Sequence, residues 1–317
     1  MTNFRMTVSA VFALCLMAAP PVSAQAEAPG NGKLLRIATG QKGKGYSKLF
    51  ADLQAVCGAQ VPLAEVHTEG GLQNLTTLAS NKADLGFVQL DTLQDMKASD
   101  EAIAALRAVV ALNHNLLHLL ARADGFTYEG PKRLWPLSPE KVTVVPLRAS
   151  QLKGLPVAVV GSARALGRVL DRRYGLELQF VDVDTDEQAL AKLRSGEVAA
   201  LLSTSGWPSG PIQKLKRDAG VRLMQFDLPV QPPYQLMRKN YENLDAFNHA
   251  FLAAPNLLVT RAFAPTGVKG RAVAELQACI RKNLVNLQEG DFEPAWREVK
   301  DLQGSHDWPR ISTTASK

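Results

Sequence analysis

Cysteine is scarce in this chain, with three in 317 residues, and the aromatic residues together make up only 6%. No two cysteines lie close enough together to ligate a metal jointly, and none has a histidine beside it, which argues against a zinc site. Beyond the first two dozen residues no apolar run approaches the ~20 residues that a membrane-spanning helix needs. Lysine and arginine outnumber acidic residues by 36 to 30, a formal net charge of +6. They are spread along the chain without runs or interleaved aromatics, so the excess predicts mild steering of anions and no nucleic-acid partner.

Catalytic signatures are missing too. Ser203, Ser205 and Ser209 lack a Gly-x-Ser-x-Gly elbow. His114 and His118 stand four apart but without the Glu of a zinc protease, in a segment that reads as strand. Asp182, Asp184, Asp186 and Glu187 read as a solvated loop. The glycine-rich stretch 40–45 fails as a phosphate loop, because Tyr46 occupies the position where lysine is required. The sequence therefore predicts no enzyme, no cofactor and no metal.

The N-terminus reads as an export signal. Arg5 precedes an apolar run, Pro20 and Pro21 break it, and Val22-Ser23-Ala24 supplies small residues for cleavage near Ala24. Residues 1–24 are thus expected to be removed and the product to reside in the periplasm. In that compartment Cys57 and Cys279 are either bridged, closing a long loop with up to about 5 kcal/mol of stabilisation, or are two buried thiols.

After the signal, strand-like runs alternate with helical periodicity, the pattern of a mainly parallel α/β sheet. Strands are expected at 34–38, 61–66 and 83–88, with helices between them carrying Leu49, Leu53 and Val56, then Leu72, Leu75 and Leu78. Residues 106–121 read as two short strands broken by Asn113-His114-Asn115, and 124–150 as an irregular insertion. The rhythm restarts with strands at 155–160, 178–181 and 198–202, then gives way to a short strand at 257–260, one long helix through Leu276, Ile280, Leu284 and Leu287, and a last helix holding Phe292 and Trp296. Two glycine-opened helix starts, at 40–45 and at Gly161-Ser162-Ala163, offer free backbone N–H groups to an anion. Arg164, one step inside the second, either pairs with a ligand carboxylate or is solvated.

Several segments, in collinear order, resemble the TAXI family of extracytoplasmic receptors for TRAP-type (tripartite ATP-independent periplasmic) transporters. They are Thr39-Gly40 with Gly43, Gly45 and Tyr46, then 69–75 (EGGLQNL), 83–91 (ADLGFVQLD), 152–159 (LKGLPVAV), Gly206-Trp207-Pro208 and 255–259 (PNLLV). The resemblance implies a type II periplasmic-binding-protein fold: two α/β lobes joined by a two-strand hinge, with the ligand in the cleft. Lobe 1 is expected to comprise 25–122 and 228–317, and lobe 2 residues 123–227.

The family implies a small organic anion as ligand, an amino acid or a dicarboxylate such as glutamate or a 2-oxo acid, a TRAP-type permease as partner, and a monomer. Carried over residue by residue, Thr39, Gly40, Gly43, Gly45, Tyr46, Gly71, Asn74, Gln89 and Asp91 line the cleft from lobe 1. Ser162, Ala163, Arg164, Ser205, Gly206 and Trp207 line it from lobe 2. Two departures bear on the ligand: the family's Ser-Gly-Thr turn is here Ser162-Ala163-Arg164, and the 124–150 segment is longer than usual. Two other readings of the fold stay open, a ligand-sensing receptor for a signalling protein and an exported enzyme of the cyclic-carboxylate dehydratase type.

Overall fold

A computed structural model describes residues 31–129, 141–161 and 163–312. The expected signal and Ser162 lie outside the described residues.

One ten-stranded sheet runs through the molecule. Its first part is built from β1 (Leu35–Ala38), α1 (Gly45–Cys57), β2 (Leu63–Val66), α2 (Gly71–Ala79), β3 (Leu85–Gln89), α3 (Leu90–Met96) and α4 (Glu101–Ala104). β4 (Arg107–Arg122) leads to a separate hairpin of β5 (Phe126–Glu129) and β6 (Lys141–Val144). The second part holds β7 (Pro156–Val160), α5 (Ala163–Tyr174), β8 (Gln179–Val183), α6 (Asp186–Ser195), β9 (Ala200–Ser205), α7 (Gly210–Gln213) and β10 (Val221–Leu223). The chain returns through β11 (Gln235–Tyr241) and β12 (Ala246–Thr260), and ends with α8 (Val268–Lys282), α9 (Leu284–Glu289) and a 3₁₀ turn at Pro294–Glu298.

The strand order is β2-β1-β3-β12-β4-β9-β7-β8. On each side three parallel strands, β2-β1-β3 and β8-β7-β9, meet an antiparallel long strand. This is the two-lobed type II binding-protein fold that the family resemblance implies. The α/β units form because the central strands alternate their buried side chains between two helical layers. In the first lobe Leu35 and Ile37 pack with α1 and α8, while Ala38 and Val88 pack with Leu75 and Leu78 of α2. In the second, Val157 and Val159 pack with Leu166 and Leu170 of α5, and Ala158 faces Ala189 and Leu193 of α6.

Three expectations need correction. Asn113-His114-Asn115 does not break a strand: β4 is continuous over sixteen residues, and β12 over fifteen. These polar residues stand where the two strands pass from one lobe's core to the other's. Val109, Val110 and Leu112 pack in the first core, whereas Leu117 and Leu119 pack in the second. For the same reason the boundary at 122 and 228 misses the packing, since Tyr234, Tyr241, Phe251 and Leu252 belong to the second lobe's cores. The stretch 124–150 is not wholly irregular but carries the β5–β6 hairpin, with 130–140 outside the described residues.

The C-terminal helices are also shorter than the apolar stripe suggests. Asn283 donates its side-chain N–H to the Cys279 carbonyl at 2.9 Å and divides α8 from α9. Trp296 sits in a 3₁₀ turn, fully buried, with its indole N–H given to Asp52 Oδ2 at 2.9 Å. Cys57 and Cys279 are disulfide-bonded, tying α1 to α8 across a separation of 222 residues. No helix among the described residues is long and apolar enough to cross a membrane.

Candidate functional site

Parallel strands deliver their carboxyl ends to one edge, and loops there are free to make a site. A cavity of about 370 Å³ lies at that edge, lined from both lobes. The first lobe contributes Thr39 to Gln41, Lys44 to Tyr46, and Glu69 to Gly71; the second contributes Val160, Gly161, Asp184 to Glu187, Ser203 to Gly206, Ser209 and Pro211; Asn115 of β4 lies between.

The first wall depends on backbone that only glycine adopts readily. Gly40 has φ 144° and Gly70 φ 125°, and a Cβ at Gly40 would meet Gly70 Cα at 3.6 Å. Helices α1 and α2 start here, and their N-cap residues, Lys44 and Gly70, supply no side-chain cap. Their first N–H groups therefore lack a capping side chain and carry the positive end of the helix dipole. Lys44 adds a full charge beside them.

Not every carried-over residue reaches the cavity. Thr39 lines it, yet its hydroxyl donates to Glu65 Oε1 at 2.8 Å. Asn74 is fully buried behind the wall. Its amide donates to the carbonyls of Thr39 (3.0 Å) and Phe87 (2.7 Å) and accepts from the Thr68 hydroxyl (2.5 Å). It holds β1, β3 and the α2 loop together instead of meeting a ligand. Gln89 and Asp91 are also buried and outside the lining. Asp91 accepts from the Tyr234 hydroxyl at 3.0 Å and from the Thr92 N–H at 2.8 Å, and burial pushes its carboxyl above the usual range. Gly43 turns at φ 73° without lining the cavity.

Tyr46 links the cavity to the crossing strands. Its ring stacks on Phe87 with centroids 5.4 Å apart. Its hydroxyl donates to Asn256 Oδ1 at 2.8 Å, and Asn256 in turn donates to Asn115 Oδ1 at 2.8 Å and Asn113 Oδ1 at 3.2 Å. Burial, and then the charge of Asp91, push the phenol well above its ordinary value, so it stays neutral.

On the second wall Ala163 is buried and Arg164 turns away: its Nε lies 2.6 Å from Asp182 Oδ1, and it is not in the lining. Trp207 also points elsewhere, donating its indole N–H to the Asn240 carbonyl at 3.4 Å with the Lys239 ammonium 4.4 Å above the ring. Gly45, Gly71, Ser205 and Gly206 do line the cavity.

Residues that sequence reasoning missed include Lys44, Glu69, Asn115, Asp184 to Glu187, Ser203, Thr204 and Ser209. The acidic loop is an ordered helix start. The Thr185 hydroxyl accepts from the Gln188 N–H at 3.1 Å, and Gln188 Oε1 accepts from the Asp184 N–H at 3.0 Å. A Thr-x-x-Gln box directly after a strand was the available signal. Glu187 is held below the usual carboxylate range by its own backbone N–H, then by the Thr185 side chain, with Lys44 of the opposite wall and Lys214 adding to the effect.

No protein-family model matches the chain, and no curated protein matches it. Among solved structures it is similar to an amino acid ABC transporter substrate-binding protein from Streptococcus pneumoniae bound to L-arginine, at 11% identity, covering 84% of this chain and 95% of that one with a TM-score of 0.49. It is similar to a periplasmic binding protein from Brucella ovis with glutathione bound, at 14% identity, 84% and 75% coverage and a TM-score of 0.45. A histidine kinase sensor domain with similarity to periplasmic binding proteins gives 12% identity, 86% and 99% coverage and a TM-score of 0.49.

Proposed function

We propose that this chain is an exported solute receptor that captures a small organic acid between its lobes and releases it unchanged. The observation that carries this reading is a cavity walled by loops from the carboxyl ends of the parallel strands in both lobes, which β4 and β12 cross as continuous strands. Two strands can bend together as a hinge, so contacts made by the second wall only in the closed form would shift the equilibrium toward closure. The uncapped starts of α1 and α2, with Lys44, form the seat for the carboxylate.

The lining sets serines beside carboxylates, with Ser203 donating to Asp186 at 3.3 Å, so release of the ligand unaltered is part of the proposal and is tested by recovery of the bound molecule. Residence in the periplasm and delivery to a TRAP-type permease follow from the sequence resemblance and belong to the same proposal.

Native mass spectrometry and thermal unfolding of the purified protein test it. A retained small acid, returned unaltered, and a rise in Tm with added ligand are expected; ligand at 100 times its Kd adds about 2.7 kcal/mol of stability. Turnover of the bound molecule, or no shift across a panel of amino acids and organic acids, would refute it.

A further inference from the structure

We infer that the ligand carries a separate cationic group, as a basic amino acid does, and that Asp184, Asp186 and Glu187 receive it; this rests on the receptor reading above. The two walls differ in charge. Of the charged side chains that line the cavity, one is an ammonium, Lys44, and four are carboxylates: Glu69 and the three of the α6 start. No arginine lines it among the described residues, because Arg164 is paired with Asp182 outside. A dicarboxylate spanning the cleft would put its second anion against these carboxylates, where a like charge is disfavoured.

The α6 start differs as an anion seat from α1 and α2: its Gln188 N–H is engaged by the Thr185 hydroxyl and its Glu187 N–H by that residue's own carboxylate, and three carboxylates stand around it. Asp186 accepts a hydrogen bond from Ser203 at 3.3 Å, which leaves acceptor capacity free on its carboxylate. Asp184 and Glu187 are exposed toward the same cavity.

A second observation points to a ligand at this wall. Ser209 is 3% exposed and lines the cavity, and its hydroxyl caps no helix. Ser205 Oγ, also in the lining, is buried without a partner. Buried hydroxyls are normally satisfied. An ammonium brings three donors and no acceptor, so carboxylates with nearby hydroxyl oxygens are the group set that completes its hydrogen bonds. Carboxylate at the first wall and cation at the second then orient one ligand across the cleft and hold the lobes together.

Isothermal titration of the full exported chain with L-lysine and L-ornithine, against L-glutamate, succinate and 2-oxoglutarate, tests the inference. The triple variant Asp184→Asn, Asp186→Asn, Glu187→Gln should be run in parallel, with Asp186→Asn alone as a milder change. The basic amino acids should bind at least tenfold tighter than the dicarboxylates, and the triple variant should lose at least tenfold for them. Dicarboxylates binding as well or better, or basic ligands binding equally to wild type and variant, would overturn the cationic assignment and leave the receptor intact. No binding by any of the five, together with no retained molecule in native mass spectrometry, would overturn both.

Discussion

The Tyr46 hydroxyl donates to Asn256 Oδ1 at 2.8 Å, joining the first turn of α1 to the middle of β12 although 210 residues separate them. Asn256 is fully buried and passes its own N–H groups to Asn113 and Asn115 on β4. One phenol thus contacts the cavity and both crossing strands. Replacing Tyr46 with Phe keeps the stacking on Phe87 and leaves Asn256 Oδ1 short of a donor. A loss of about 1–3 kcal/mol is expected in urea denaturation, together with weaker ligand binding. An unchanged unfolding midpoint would show that this bond does not contribute.

The disulfide gives a second expectation. Cys57 and Cys279 both lie in the first lobe's core, beside Leu53 and Ile280. The bridge closes a 222-residue loop, so reduction should remove about 2–5 kcal/mol, mainly by freeing the unfolded chain. Thermal unfolding with and without reductant, checked against the Cys57→Ala, Cys279→Ala double variant, measures this. Equal Tm values under all three conditions would contradict it.

How far these features were legible depended on whether local pattern and tertiary role coincide. The β1–α1 unit was readable because Leu35 and Ile37 alternate with Arg36 and a glycine turn follows. The crossing strands were not. Asn113, Asn115 and Asn256 look like loop residues, and they are tolerated inside strands because they hydrogen-bond one another. Asn74, Gln89 and Asp91 were carried over to the ligand site from the family resemblance, but Asn74 and Asp91 satisfy buried partners of the protein itself. The acidic α6 start was dismissed as solvated, since composition alone cannot show that its strand delivers it to the cleft.

Asp91 provides a pH-dependent expectation. Burial raises its carboxyl pKa in the folded protein above the unfolded value, about 3.9. Ionising it in the fold therefore costs stability. The cost is absent at low pH, grows as pH rises from about 3.9 through the folded value, and remains at neutrality. Asparagine in its place can still accept from the Thr92 N–H through Oδ1, and its amide N–H, standing where the second carboxylate oxygen was, can donate to the Tyr234 hydroxyl oxygen. Asp91→Asn should therefore be at least as stable as wild type at pH 7 and gain less at pH 4, with ligand affinity unchanged because Asp91 lies outside the cavity. Urea titrations at both pH values check this. A variant equally destabilised at both would show that the ionised carboxylate is needed by its partners.

Arg164 separates the structure's account from the sequence's most directly. A carboxylate clamp at this position predicts that Arg164→Ala weakens binding by about 1–3 kcal/mol, the worth of a charged hydrogen bond lost from a buried ligand. The structure instead pairs Arg164 with Asp182, and the two side chains are 42% and 45% exposed. An exposed ion pair contributes about 0–1 kcal/mol to stability, and removing one outside the cavity leaves the ligand's contacts in place. Arg164→Ala should therefore bind ligand within about twofold of wild type, against at least tenfold loss for the α6-start triple variant. If the order is reversed, Arg164 must leave Asp182 on closure and turn inward, and the second wall would have to be redrawn around a cation of the protein instead of one on the ligand.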